Sequence, residues 1–329
     1  MATTIKELAL HCGVSEGTVD RALNDRPGIS LSTKSRILAA ADELGYKPNR
    51  IAQSLATGRT RTIGIISFDL INNCFTRLVD AIEAEAKSRG YFINLILTHK
   101  DPAYELEGLR YLAERRVDGI GLLPLGKDEQ YAAFLKDLGI PIVTIFNRIS
   151  EDFMHVGIDD RKIMYEAVQY IASKGYEQIV LVQPLLSAML SRGINAHTIC
   201  QRKLGYEQGL AAAGLNQSPI IAEGKNYAKS FAGIDFSRRT ALLCISDAYA
   251  MAVMKHLRES GLSIPGDVGV MGFDSVDTQQ VMHPLLTTVE YHVEAMGRQI
   301  VDNLCDMIEG KRAEHTHIMS YSIIEGETI

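Results

Sequence analysis

The sequence contains no apolar run approaching the roughly 18 residues that a membrane span needs. Its start, MATTIKELALHCG, lacks the basic, apolar and small-residue blocks of a secretory leader. A cytoplasmic chain that does not engage a membrane is expected. Cysteine is sparse: Cys12, Cys74, Cys200, Cys244 and Cys305 are scattered, odd in number and without metal-ligand spacing. That sets aside a disulfide framework and a cysteine metal site, and leaves free thiols. No nucleophile–base motif is present, so neither catalysis nor a cofactor is expected. Two local patterns fall short of chemistry. Gly121 to Asp128, GLLPLGKD, nearly fits a phosphate-binding loop, but Asp128 replaces the magnesium-binding hydroxyl and Pro124 has no amide to donate. His315 and His317 would share one face of a terminal strand, with no third ligand in view.

What is present is the balance of an ordinary globular protein, 46% hydrophobic and 22% charged. The 329 residues suggest two or three domains. The net charge of -6 is unevenly spread: residues 1–60 hold eight Lys/Arg against six Asp/Glu. A mildly basic head on an acidic body is the distribution expected when only the head meets phosphate.

The head reads as three short helices and a fourth element. Thr4 to Glu7 forms a capping box, and Ile5, Leu8, Ala9 and Cys12 follow at helical spacing. Gly13 stops that helix and Ser15 caps the next, whose inward residues are Val19, Ala22 and Leu23. Ser30 caps a third helix, expected to bury Ile37, Leu38, Ala41 and Leu44 before Gly45. Two short helices joined by a glycine turn make a helix-turn-helix pattern.

Beyond Gly58 the pattern changes. TIGIIS, FINLILT, GIGLLPL, PIVTIF, QIVLVQP, ALLCIS and VGVMGF are apolar β runs separated by helical segments, one of them Phe75 to Arg89. HIMSYSII reads as one last strand. Alternating βα units imply parallel doubly wound sheets, and about 270 residues suffice for two such lobes.

The strings TIKELALHCGVSEGTVDRALN, GYKPN and RIAQSLATGRTRTIGII carry a specific likeness. The chain resembles the lactose-repressor (LacI/GalR) family of bacterial transcription regulators, through the head and on into the body. The resemblance implies an α/β protein: an all-α helix-turn-helix head (1–48), a hinge helix and linker (49–60), and a body (61–329) of two Rossmann-like lobes of periplasmic-binding-protein type. The N-lobe would hold about 61–159 and 292–318, the C-lobe about 160–291 and 319–329. It implies a homodimer on a palindromic double-stranded operator, acting as a repressor and answering to a small polyhydroxy effector such as a sugar or sugar derivative. No heptad tail for a tetramer follows the last strand.

By the resemblance Val14 to Asn24 is the recognition helix, with Glu16, Gly17 and Arg21 selecting sequence. Arginine there can pair with guanine and glutamate can accept from a cytosine amino group. Glu16 reads equally well as a solvated carboxylate at a helix start. Thr4, Lys6, Ser15, Thr18 and Asn24 join the DNA set, with Lys34 and the Arg26 loop as further phosphate contacts. Asp20 departs from the small hydroxyl residue usual in the family and is given no contact. Arg50, Ala52 and Leu55 belong to the hinge, where Leu55 is the minor-groove wedge. The effector set is Ser67, Phe68, Asp69, Phe75, Phe146, Asp159, Arg202, Ser246 and Asp274, placed by the resemblance at strand ends, where ligands of such folds sit. Phe75 and Phe146 read equally as core. A cytoplasmic sugar-binding protein without regulatory DNA binding is the competing reading; it leaves residues 1–60 unexplained.

Overall fold

The computed structural model describes residues 3–47, 54, 57–215, 217–275, 283–311 and 315–329. The chain divides into two compact units, Met1–Thr60 and Arg61–Ile329.

In the first unit α1 is Ile5–Cys12, α2 Glu16–Leu23 and α3 Leu31–Glu43. Thr4 and Glu7 form the reciprocal capping box at α1, and Gly13 ends it with φ 61°, a conformation that costs glycine little. Ser15 and Ser30 cap α2 and α3 by accepting from the Thr18 and Thr33 amides. Leu8, Val19 and Ile37 are fully buried where the three helices meet, with Ala22, Ala40 and Ala41 around them. Leu38 is 42% exposed, against expectation. Once Ile37, Ala40 and Ala41 define the inward stripe of α3, Leu38 lies about 100° round the helix from Ile37.

The second unit begins with β1 (Thr62–Ser67), α4 (Asn73–Ser88), β2 (Phe92–Leu97), α5 (Pro102–Glu114) and β3 (Gly119–Leu122). It continues through α6 (Glu129–Asp137), β4 (Ile142–Ile145), β5 (Met154–Gly157), α7 (Asp160–Ser173) and β6 (Gln178–Gln183). Then come α8 (Leu186–Ser191), α9 (His197–Ala212), β7 (Ile220–Glu223), α10 (Tyr227–Ser230), β8 (Thr240–Cys244) and α11 (Asp247–Glu259). The last elements are β9 (Val268–Met271), β10 (Thr288–Glu290), α12 (Val293–Ile308), β11 (Thr316–Ile318) and β12 (Ser322–Ile324).

Two parallel sheets result. One has the order β11-β5-β4-β3-β1-β2 and the other β7-β6-β8-β9. Their central strands are buried on both faces, which is why they read as unbroken apolar runs. The chain leaves the first sheet after β5, returns through α12, and leaves again after β11. HIMSYSII is therefore two strands, not one. β11 runs parallel to β5, whereas β12 pairs antiparallel with β10. Helices α7 and α9 cross closely at Gly205, where an added Cβ would overlap the Arg161 carbonyl. Helix α4 starts two residues earlier than expected because Asn72 caps it, accepting from the Cys74 amide at 3.1 Å. Among the described residues no helix is long and apolar enough to cross a membrane.

Candidate functional site

On the head, Thr4, Lys6, Ser15, Glu16, Gly17, Arg21 and Asn24 are exposed and Thr18 is half-buried. The hydroxyls of Ser15 and Thr18 lie 2.9 Å apart at the start of α2. Gly17 has open space around it apart from Ser15 Oγ at 4.0 Å, so a neighbouring surface can come close there. Asp20 is absorbed within the head: it accepts from Asn24 Nδ2 at 2.8 Å and pairs with Arg26 at 3.1 Å. The Lys34 ammonium bonds to Asp25. Arg26 and Lys34 are thus partly neutralised, whereas Lys6 and Arg21 form no ion pair among the described residues. Arg50, Ala52 and Leu55 lie outside the described residues.

In the body a cavity of about 720 Å³ opens at the C-terminal ends of the strands of both sheets. Phe68 and Asp69 follow β1, Phe146 follows β4, Ser246 follows β8 and Asp274 follows β9. Phe75 from α4 and Arg202 from α9 complete the expected lining. Phe68, Phe75, Phe146 and Tyr291 form a run of ring contacts with centroids 5.6, 6.2 and 5.9 Å apart. The two phenylalanines that read equally as core or lining are both: packed into this run and facing the cavity.

Two expected residues are elsewhere. Ser67 is buried and is not among the residues that line the cavity, and its hydroxyl has no hydrogen-bond partner among the described residues. Asp159 is exposed and caps α7, accepting from the Lys162 amide at 3.0 Å. Its neighbour Asp160, one step further round the helix, points inward instead. Arg202 donates to Asp160 from Nε at 2.7 Å and to the Ile245 carbonyl from Nη1. Its guanidinium carbon stacks 3.6 Å from the Phe273 ring centroid. Nη2 makes no hydrogen bond among the described residues.

Asp274 is 5% exposed. It accepts from the Tyr291 hydroxyl at 2.8 Å and from Asn72 Nδ2 at 3.4 Å. Because the Tyr291 hydroxyl donates to Asp274, the Cys74 thiol, 2.8 Å away, donates to the Tyr291 oxygen. Burial pushes the Asp274 carboxyl up to about 6 against the pull of Arg202. Burial raises Asp160 in the same way. Desolvation opposes the Arg202 charge, but Asp160 and Asp274 outweigh it and hold the guanidinium value up. Asp274 and Phe146 sit at φ 113° and 58°, conformations that non-glycine residues rarely adopt. Strain of about 1–3 kcal/mol per residue persists where surroundings enforce it, typically at binding sites.

Sequence reasoning missed the polar seam beside this cavity. Asn147, after β4, donates to the Asn195 carbonyl at 3.0 Å and accepts from the Thr198 hydroxyl at 2.8 Å. Asn195 donates to the carbonyls of Gly126 and Arg148. The near phosphate loop has its amide taken as well: Leu125 N–H donates to the buried Glu105 carboxylate at 2.9 Å, and Asp128 caps α6.

Glu105 also accepts from the Tyr131 hydroxyl at 2.6 Å. Burial pushes it up to about 7, against these bonds. Its folded value lies above the 4.5 of a free glutamate. Its contribution to stability is therefore complete below that pH and is lost as pH rises through about 7. Glu105→Gln is expected to flatten the urea-unfolding free energy across that window, by up to about 3 kcal/mol. An unchanged pH slope in the variant would clear Glu105 of this role.

Residues 4–49 match the family described as bacterial regulatory proteins, lacI family, and residues 168–329 match the periplasmic binding protein-like domain. The chain is 34% identical to the HTH-type transcriptional regulator RegA of Clostridium acetobutylicum, over 100% of this chain and 99% of RegA. The Lac repressor dimer bound to operator and the anti-inducer ONPF shares its fold, with a TM-score of 0.84 at 24% identity, over 100% of this chain and 99% of that one. A periplasmic binding protein/LacI transcriptional regulator from Alkaliphilus metalliredigens, complexed with D-xylulofuranose, matches at 25% identity and a TM-score of 0.68, over 82% of this chain and 98% of its own. With identity to a transcriptional regulator along its whole length, a helix-turn-helix head and two parallel-sheet lobes, the chain belongs to the lacI family of DNA-binding transcription regulators, not to a family of enzymes.

Proposed function

We propose that the chain acts as a homodimeric repressor on a palindromic operator, and that a polyhydroxy small molecule, a sugar or sugar derivative, bound in the body cavity switches its affinity for DNA. The observation that carries the effector reading is the Asp274 cluster. A buried carboxylate, a free guanidinium edge and aromatic rings face one cavity, the mix of acceptors, donors and stacking surfaces that suits a ring bearing many hydroxyls. The D-xylulofuranose complex of the Alkaliphilus regulator supports the same chemistry. A ligand that favours one state of the body over the other changes operator affinity by its difference in affinity for the two.

On the head, Glu16, Gly17 and Arg21 are the proposed base readers. Arg21→Ala is expected to weaken binding to a palindromic operator by about 1–3 kcal/mol and to relax preference at one base pair per half-site. Fluorescence anisotropy on operator and random duplexes makes the test. An equal loss on both would reassign Arg21 to phosphate. A chain that retained sugar binding but showed no preference for any palindrome in a selection from random duplexes would favour a sugar-binding protein instead.

A further inference from the structure

Besides the Asp274 cluster, three cations line the same cavity: Lys100 after β2, Arg192 after α8 and Lys225 after β7. All three are exposed, and none forms an ion pair among the described residues. Arg77 and Arg148, by contrast, are held by Glu294 and Glu151. The three line the cavity from elements of both sheets. Arg192 donates to the Lys100 carbonyl at 3.3 Å, while Lys225 leaves the strand next to the one that leads into α8. Among the described residues two carboxylates line the cavity, and both are engaged away from the three cations. Asp69 is turned to the Ile71 and Asn72 amides, and Asp274 is tied to Tyr291 and Asn72.

Topology sets the separation. In the sheet order β7-β6-β8-β9, Lys225 follows one edge strand and Asp274 the other. Three strand spacings come to about 14 Å, which long lysine and arginine side chains shorten by reaching inward. The cavity volume falls within the roughly 300–1,000 Å³ of small-molecule sites, with room for more than the hydroxyls around Asp274 need.

We propose that the effector is an acidic saccharide: its hydroxyls meet Asp274 and Arg202, and an anionic group, phosphate or carboxylate, at its far end meets Lys100, Arg192 and Lys225. This rests on the reading of the cavity as the effector site. An anion at a cluster of cations gains charge-assisted hydrogen bonds and relieves the repulsion among them. The attraction weakens with salt because the mouth is open to solvent.

The test is calorimetric titration of the full chain with matched sets: glucose, glucose 6-phosphate and glucuronate, then cellobiose, cellobiose 6′-phosphate and cellobionate. At least one acidic member is expected to bind about tenfold or more tighter than its neutral parent. The gap should shrink at high salt and close in Lys100→Ala/Lys225→Ala, whose exposed positions leave folding intact. The phosphate and carboxylate arms decide which anion the site takes. Neutral parents binding as tightly as their acids would overturn the anion site and leave the sugar reading standing. A gap that survives in the double variant would overturn the assignment to these residues. Acid binding that disappears in Lys100→Ala/Lys225→Ala but is untouched by Asp274→Asn would uphold the anion site and sink the polyhydroxy reading. No binding by any member would overturn both.

Discussion

Arg202→Ala is expected to destabilise the body by about 3–5 kcal/mol, the usual cost of stranding one partner of a buried ion pair. Arg202 and Asp160 are 5% and 4% exposed, and the bond between them is 2.7 Å long. Removing the guanidinium leaves Asp160 without its counter-charge and the Ile245 carbonyl without its donor. It also opens a gap beside Phe273. The Asp160 carboxyl, already raised by burial, would then take up a proton near neutral pH, which limits the loss. Arg202→Met/Asp160→Asn removes both charges and should recover much of the stability, since a hydrophobic replacement of a buried pair is often close to neutral. Urea midpoints followed by circular dichroism on the three proteins test this. A wild-type midpoint for Arg202→Ala would show that the pair contributes nothing to the fold. The consequence for function is direct. Loss of effector response in Arg202→Ala does not by itself identify a ligand contact, because the same arginine holds α9 to α7 and to the end of β8.

Much of this architecture was legible because the physics behind it is local. TIGIIS and QIVLVQ are unbroken apolar runs since both faces of each strand are covered. Thr4, Ser15 and Ser30 announce helix starts by hydroxyl chemistry alone. The four-residue strands MHVG and IIAE carry too little pattern to separate from loop. The split of HIMSYSII into two strands depends on which partner each half meets, β5 or β10, and no residue within it says so. Asp159 and Asp160 show the limit most sharply. Adjacent carboxylates at a helix start are indistinguishable until the helix phase is known. One then caps the helix in solvent and the other carries a buried charge. Asn147 and Asn195 stand 48 residues apart, and asparagine leaves no periodicity, so their seam could be found only in three dimensions. Lys100 and Lys225 did leave a signal, each the first cation after a strand whose C-terminal end faces the cleft, but lysine after a strand is common on any surface.

Asp274→Asn is expected to separate the two activities of the protein. Asparagine keeps the shape, and its oxygen can still accept from Tyr291 at the loss of the 3.4 Å bond from Asn72, so the variant should fold and bind operator as wild type does in the absence of effector. Effector affinity should fall about fivefold to about tenfold, since a hydrogen bond to a charged acceptor contributes about 1.5–3 kcal/mol and one to a neutral group about 0.5–1.5 kcal/mol. In the wild type the same contact should be pH-sensitive. Burial pushes Asp274 up to about 6 in the folded state, so it would accept from hydroxyls of the proposed effector as a carboxylate above that pH and lose this capacity as pH falls through it. Stability moves the other way: the raised value means that the folded body gains from protonation as pH drops, so weaker binding at low pH would not reflect unfolding. The measurement is effector affinity from about pH 5 to about pH 8 in both proteins. A steep fall below pH 6 in wild type and a flat profile in the variant is the expected result. A fall of equal size in both would take the proton off Asp274 and place it on Asp160 or on a phosphate of the effector itself. A flat profile in wild type together with unchanged affinity in the variant would remove Asp274 from the effector site.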